Sequence, residues 1–400
     1  MSVETDYHRR RKHFGVFGGR YVPEPLWEPL EELWRAWSEA VEDEEFVGLH
    51  KSWRRSRLGR PTPLTHLRAL SKSLGGAQLW AKREDLVDGA SFCVTSALSQ
   101  ALLAKRMGKG RIIGETATGD FGVALGTVGT AMGLEVVAFM GRAAMQQEPL
   151  NVTRMRRLGV EVVSVDGPGK GRSHAMAEAL RQFAVSSEHT FYATSSLASP
   201  DPYPTIVARA LSVIGDECRR QTMHRELDVE YVVAPVGSGS FAAGLFSAYL
   251  EEVGPQLVGV QSAGESGASR HAASLVHGRP GVHLGTRSLV LQDEEGQILA
   301  PHSAAWGLAM PVAGPQHARW LQRGDVHYVT IADAEADEAR RELAQSEAIW
   351  ASRESGYGLA YAIKLAPTLG PDEHIVVGIS GAGVRDLDVD DEGPQVEGGP

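Results

Sequence analysis

The chain has 400 residues, 42% hydrophobic and 22% charged, which is enough for two packed domains of ordinary globular composition. Its formal net charge of −10 argues against a nucleic-acid partner, which calls for a basic face. It contains neither an apolar run of about 20 residues nor a charged start followed by an apolar segment, so the sequence predicts no membrane insertion and no export, and reads as cytoplasmic.

In chain order, the basic run from His8 to His13 reads as a solvated tail. Short β-branched or apolar runs then alternate with helical stretches, predicting strands at 77–82, 110–115, 135–140, 160–165, 190–194, 230–236, 256–260, 326–331 and 374–380. Such alternation predicts parallel sheets covered by crossover helices. Glycine clusters follow three of these strands, at 119–122, 237–239 and 381–383. That carboxyl edge is where open α/β sheets bind ligands. Cys93 and Cys218 are too few for a disulfide framework or a zinc cluster, and the scattered histidines have no ligand spacing, so no metal site is expected. The acidic, Gly/Pro-containing stretch 388–400 reads as a frayed tail.

Several motifs hold their order and spacing from about residue 14 to 390: Phe17-Gly18-Gly19-Arg20-Tyr21-Val22-Pro23-Glu24, Gly59-Arg60-Pro61-Thr62-Pro63-Leu64, Lys82-Arg83-Glu84-Asp85-Leu86, Pro202-Tyr203-Pro204 and Gly314-Pro315-Gln316-His317. Together they resemble the tryptophan synthase β subunit. The resemblance implies an α/β fold of the fold type II pyridoxal phosphate (PLP) enzymes, two doubly wound parallel-sheet domains with the site between them. It implies an N-terminal domain of 1–58 plus 92–210 with a mobile segment at about 108–195, a C-terminal domain of 59–91 plus 211–388, and a flexible tail at 389–400. It also implies a homodimer, with a second synthase subunit as a further partner.

The departures are concentrated in one half of the implied site. Where the family carries its Schiff-base lysine, the ungapped match places Cys93, next to Phe92. A lysine imine conjugates with the pyridine ring and makes it an electron sink, whereas a thiol forms at most an unconjugated adduct. The expectation is therefore that no cofactor is used. The family's carboxylate-binding loop appears here as Glu115-Thr116-Ala117-Thr118-Gly119-Asp120-Phe121-Gly122. Asp120 puts a carboxylate where the family has an amide, and like charges about 4 Å apart repel by about 4 kcal/mol at an effective dielectric near 20. The family's paired Asp and Arg become Ala309, beside Met310, and Gln147.

Other parts are retained. Glu115 matches the family's acid–base glutamate, which contacts the indole N–H; the alternative is an ordinary polar residue at a strand end. Gly237, Ser238, Gly239 and Ser240 resemble the phosphate cup, in which backbone N–H groups converge on an anion, or they are a glycine turn that binds nothing. Ser380 matches the serine that bonds the pyridine nitrogen, and Glu354 the glutamate bordering the ring, with Tyr357 nearby. Cys93 reads as an inert buried residue, a nucleophile, or loose packing around a ligand.

The expected function is PLP-independent carbon–carbon bond formation between an indole-like nucleophile and an electrophile other than serine. Glu115 and Asp120 are the catalytic candidates. Cys93, Phe92, Thr116, Phe121, Ala309, Met310, Glu354, Tyr357 and Ser380 are expected to line the pocket, with Gly237–Ser240 as the anion site. Two rival readings are an inactive β-like subunit that regulates a partner enzyme, and a protein that binds PLP without a covalent link and keeps residual lyase activity.

Overall fold

The computed structural model describes residues 13–167, 172–250, 254–265 and 270–386. The acidic tail from 388, and the basic run up to residue 12, lie outside the described residues; His13 opens the first strand.

The chain begins with a hairpin of β1 (His13–Phe14) and β2 (Phe17–Gly18), then α1 (Trp27–Glu42) and α2 (Glu44–Ser56). Asp43 starts α2 by accepting hydrogen bonds from the N–H groups of Glu45 and Phe46, and the acidic first turn and basic last turn of α2 complement its dipole. Next come β3 (Leu64–His66), α3 (Arg68–Leu74), β4 (Gln78–Arg83), α4 (Cys93–Arg106), β5 (Arg111–Thr116) and α5 (Asp120–Gly129). They are followed by β6 (Glu135–Gly141), α6 (Arg142–Gln147), α7 (Pro149–Arg157), β7 (Glu161–Val165), α8 (Arg172–Ser186) and β8 (Thr190–Ala193). The long α9 (Tyr203–His224) leads to β9 (Val229–Pro235), α10 (Ser240–Phe246), β10 (Gln256–Ser262), α11 (Ser274–His277), β11 (Arg279–His283) and β12 (Thr286–Val290). The last elements are α12 (Pro315–Arg323), β13 (His327–Ile331), α13 (Asp333–Glu347), α14 (Arg353–Leu365) and β14 (His374–Ile379).

All nine strands expected from the sequence are present, within two residues at each end. They form two sheets. One is fully parallel, in the order β7-β6-β5-β8; the other runs β13-β10-β9-β14-β4-β3 and is parallel except for β3. A small antiparallel sheet, β1-β2-β12-β11, lies outside both and was not anticipated, because its strands are short and largely polar.

Helices cover both faces of the larger sheet, so its strands are apolar on both sides. Along β9, Val233 joins a core with Leu79, Val377 and Leu359, while its neighbours Val232 and Ala234 join another with Leu211, Leu245 and Phe246. A separate core runs from Leu26 to Ile206 around the four-stranded sheet. The segment before β3 is tied to the larger sheet by a buried ion cluster. Arg60 bonds Glu84 (2.7 Å) and Glu217 (2.9 Å), and Lys82 reaches Glu217 at 3.0 Å. Breaking such a cluster on one side costs about 3–5 kcal/mol, because it strands a buried charge. No helix among the described residues is long and apolar enough to cross a membrane.

Candidate active site

Parallel strands bind ligands beyond their carboxyl ends, where successive loops diverge. Here the ends of β5, β9 and β14 face one cavity, closed on a further side by the start of α4.

From β9, Gly237, Ser238 and Gly239 lead into α10, and all three line the cavity with Ser240. Gly239 has φ +91°, and a Cβ there would stand 2.1 Å from Nε2 of His317. That imidazole fixes the turn from behind: Nε2 lies 2.8 Å from the carbonyl oxygen of Gly239, so it carries the proton and donates. Nδ1 then accepts from the Tyr328 hydroxyl at 2.7 Å. Burial pulls His317 down to about 4, which keeps it neutral at physiological pH. The N–H of Ala243 takes the Gly239 carbonyl at 2.8 Å, so the N–H groups of the first turn precede the helical ladder at the cavity. Phe241 also lines the cavity but packs downward, with its ring 5.2 Å from that of Phe92 and beneath the backbone of Gly378.

From β14, Ser380 lines the floor. Its N–H donates to Ser355 Oγ at 3.0 Å, and its own hydroxyl lies 3.1 Å from that oxygen and 3.4 Å from Ser352 Oγ. Cys93, buried, opens α4 at the cavity wall, with its N–H 3.5 Å from Ser91 Oγ. Among the described residues, no lysine lines the cavity. Lys82 is committed to the ion cluster, and Lys105 sits near the far end of α4.

From β5, Thr116 presents a buried hydroxyl that has no hydrogen-bond partner among the described residues. Asp120 opens α5 and also faces the cavity. One of its oxygens accepts from Asn151 Nδ2 at 2.9 Å, and the other lies 3.3 Å from Arg385 Nε. Gly119, at φ +85°, allows this approach, since a Cβ there would meet Asn151 Cβ at 2.5 Å.

Arg385 is the residue that sequence reasoning missed. Its guanidinium, 4% exposed, meets Asp120 through Nε, Glu148 (3.2 Å) and Asp386 (3.5 Å) through Nη1, and Glu354 through Nη2. Burial opposes the charge on Arg385, but the carboxylates of Asp120, Glu354, Asp386 and Glu148 outweigh it and hold the group protonated. Burial likewise works against Glu354, but Arg385 and the N–H of Gly307, at 3.0 Å, keep it below the usual carboxylate range. Glu148 goes the other way. Burial pushes it up to about 8, and Glu354 and Asp120 add to a rise that Arg385 only partly opposes. The only sequence clue was that Arg385 stands five residues beyond the matched Ser380.

Of the residues expected in the pocket, Cys93, Phe92, Thr116, Phe121, Asp120, Glu354, Ser380 and Gly237–Ser240 line the cavity. Glu115 does not. It is buried one residue back along β5, where its oxygens accept from the hydroxyls of Tyr192 and Thr194, each at 2.7 Å. Ala309 and Met310 stand behind Gly307 and Leu308, which line the cavity instead, and Met310 packs with Ala198, Val290 and Val312. Tyr357 is turned away to Asp333 (2.5 Å) and Ser303 (3.0 Å).

The family model for pyridoxal-phosphate dependent enzymes matches residues 55–381. The chain is 43% identical over 379 residues to the tryptophan synthase beta chain of Methylibium petroleiphilum, covering 94% of this chain and 92% of that protein. It is 41% identical over 388 residues to the beta chain of Xylella fastidiosa, covering 96% of each. Among solved structures, a substituted O-ureido-L-serine synthase with O-ureido-L-serine bound superposes with a TM-score of 0.63 at 19% identity. That match covers 84% of this chain and 93% of the other, and it supports the fold.

These matches overturn the expectation that no cofactor is used, since the matched family and relatives are PLP-dependent enzymes. That expectation rested on one side chain, Cys93, whereas the imine is only one of several contacts that can hold PLP. The residues present fit the remaining contacts. The Gly237–Ser240 turn brings its backbone to the cavity, Ser380 offers a hydroxyl at the floor, and Thr116 offers a buried hydroxyl with no hydrogen-bond partner among the described residues.

Proposed function

The chain belongs to the tryptophan synthase β family of PLP-dependent enzymes, and from that premise we propose that it holds PLP without a lysine bond and joins an indole-like nucleophile to a partner other than serine. The observation that carries this reading is Asp120, a carboxylate held by Asn151 and Arg385 on the wall of a cavity that no lysine among the described residues lines.

The cofactor, when bound, supplies an electron sink to a ligand conjugated with its ring. The protein's own groups do the rest. The backbone N–H groups at Ser238–Ser240 would hold the cofactor's phosphate. Ser380 would offer its hydroxyl to the ring nitrogen, and Cys93 offers no amine for a covalent tether. Asp120 repels a substrate carboxylate and accepts an N–H or O–H from the electrophilic partner. Glu115, which lies one residue behind the cavity wall and is held there by Tyr192 and Thr194, is the proposed base toward the indole N–H. We place the site between two domains, 1–58 with 92–210 and 59–91 with 211–388, in a homodimeric protein.

The test is turnover of indole with enones, quinone methides or activated alcohols in the presence of PLP. Glu115→Gln should leave indole binding within a few-fold and lower turnover by about 10²–10⁴. If serine is consumed as readily as these partners, or if no partner gives a Glu115-dependent adduct, the proposal fails.

A further inference from the structure

Away from the cavity, α2 and α9 flank a surface groove of about 390 Å³, and no residue lines both sites. Lys51, Arg54 and Arg55 line the groove from α2, Arg60 from the turn that follows, and Arg220 and Arg225 from α9 and its C-terminal cap. One carboxylate, Glu217, is present, and it is already committed to Arg60 at 2.9 Å and Lys82 at 3.0 Å. In a chain of formal net charge −10, this concentration of cations runs against the overall balance.

Arg54 makes the groove unusual. It is half-buried, and among the described residues it forms no ion pair with a carboxylate. Burial pulls its guanidinium below the ordinary value and the nearby Arg60 and Arg220 add to this, opposed by Glu217 and Asp216. A guanidinium withdrawn from water among like charges is costly unless an anion joins it. Phosphoryl oxygens match the planar fork of arginine donors, and several such forks on two helices suit more than one phosphoryl group.

We infer that this groove is a binding site for a small polyanion carrying two or more phosphoryl groups, gripped by Arg54 from α2 and Arg220 from α9. The exposed Lys51, Arg55 and Arg225 complete the charge around it. The site does not depend on the chemistry of the cavity, so either assignment can stand without the other.

Calorimetric titration of the full chain with inorganic pyrophosphate tests it, using the wild type, the double variant Arg54→Gln/Arg220→Gln and a second double variant, Lys51→Gln/Arg55→Gln. Saturable wild-type binding that weakens with added salt is expected. Affinity should fall about a hundredfold in the first variant and about tenfold in the second, whose two side chains are exposed and whose folding is not at stake. Wild-type protein that binds no pyrophosphate would overturn the inference. So would two variants that bind it as well as the wild type, which would locate the anion at the Gly237–Ser240 turn. Protection of Arg54 and Arg220 from arginine-modifying reagents by dimerisation, without pyrophosphate binding, would make the groove an interface between copies and overturn it as well.

Discussion

Glu148→Gln isolates the charge network that borders the cavity at Asp120 and Glu354. Arg385 gathers four carboxylates, and burial pushes Glu148 up to about 8 from an unfolded value of 4.5. A carboxyl whose folded value is raised binds its proton more tightly in the native state. Its stabilising contribution is therefore complete below about pH 4.5 and is lost as pH rises through 8. At about 1.36 kcal/mol per unit, that gap corresponds to a ceiling of roughly 5 kcal/mol across the window. The amide has no titration and mimics the protonated acid. Urea unfolding at pH 5, 7 and 9 should show the variant matching the wild type at pH 5 and exceeding it by several kcal/mol at pH 9. Parallel pH profiles would refute the assignment of a buried, protonated Glu148 beside Arg385.

Asp120→Asn should raise the affinity of carboxylate ligands by about ten- to a hundredfold in equilibrium binding, less than an unpaired like charge would give, because Arg385 already offsets part of Asp120; an unchanged affinity contradicts its placement on the cavity wall. Gly239→Ala should lower thermal stability by at least about 1–2 kcal/mol, through its φ of +91° and the 2.1 Å approach to His317, and an unshifted melting midpoint would count against that geometry. Cys93→Lys should create a borohydride-reducible link to PLP that the wild type lacks, read by mass spectrometry. It should not restore serine turnover, because Asp120, Gln147 and Ala309 are unchanged.

Much of the fold was legible because its signals are local. The apolar runs that became β5, β6, β9 and β14 are mostly buried segments bounded by glycine turns, and parallel pairing follows from the helices between them. The hairpin β11–β12 was not legible, since Arg279–His283 carries no alternating apolar pattern. At the site, backbone-determined features such as the Gly237–Ser240 turn could be read from the glycines alone. Side-chain direction could not. Glu115 and Thr116 are neighbours on β5, yet strand alternation sends them to different surroundings, one to Tyr192 and Thr194 and the other to the cavity. The Arg385 network joins positions 120, 148, 354, 385 and 386, a long-range assembly that no spacing rule encodes.

The central claim is that PLP is held in this cavity without a lysine bond. Dialysis of the protein against PLP, followed by borohydride reduction, peptide mapping and assay of the cofactor that remains dialysable, tests it directly. The expected result is stoichiometric PLP that dialyses away after reduction, with no pyridoxyl-lysine on any peptide. A pyridoxyl group on a lysine, or the absence of any PLP binding, would contradict it.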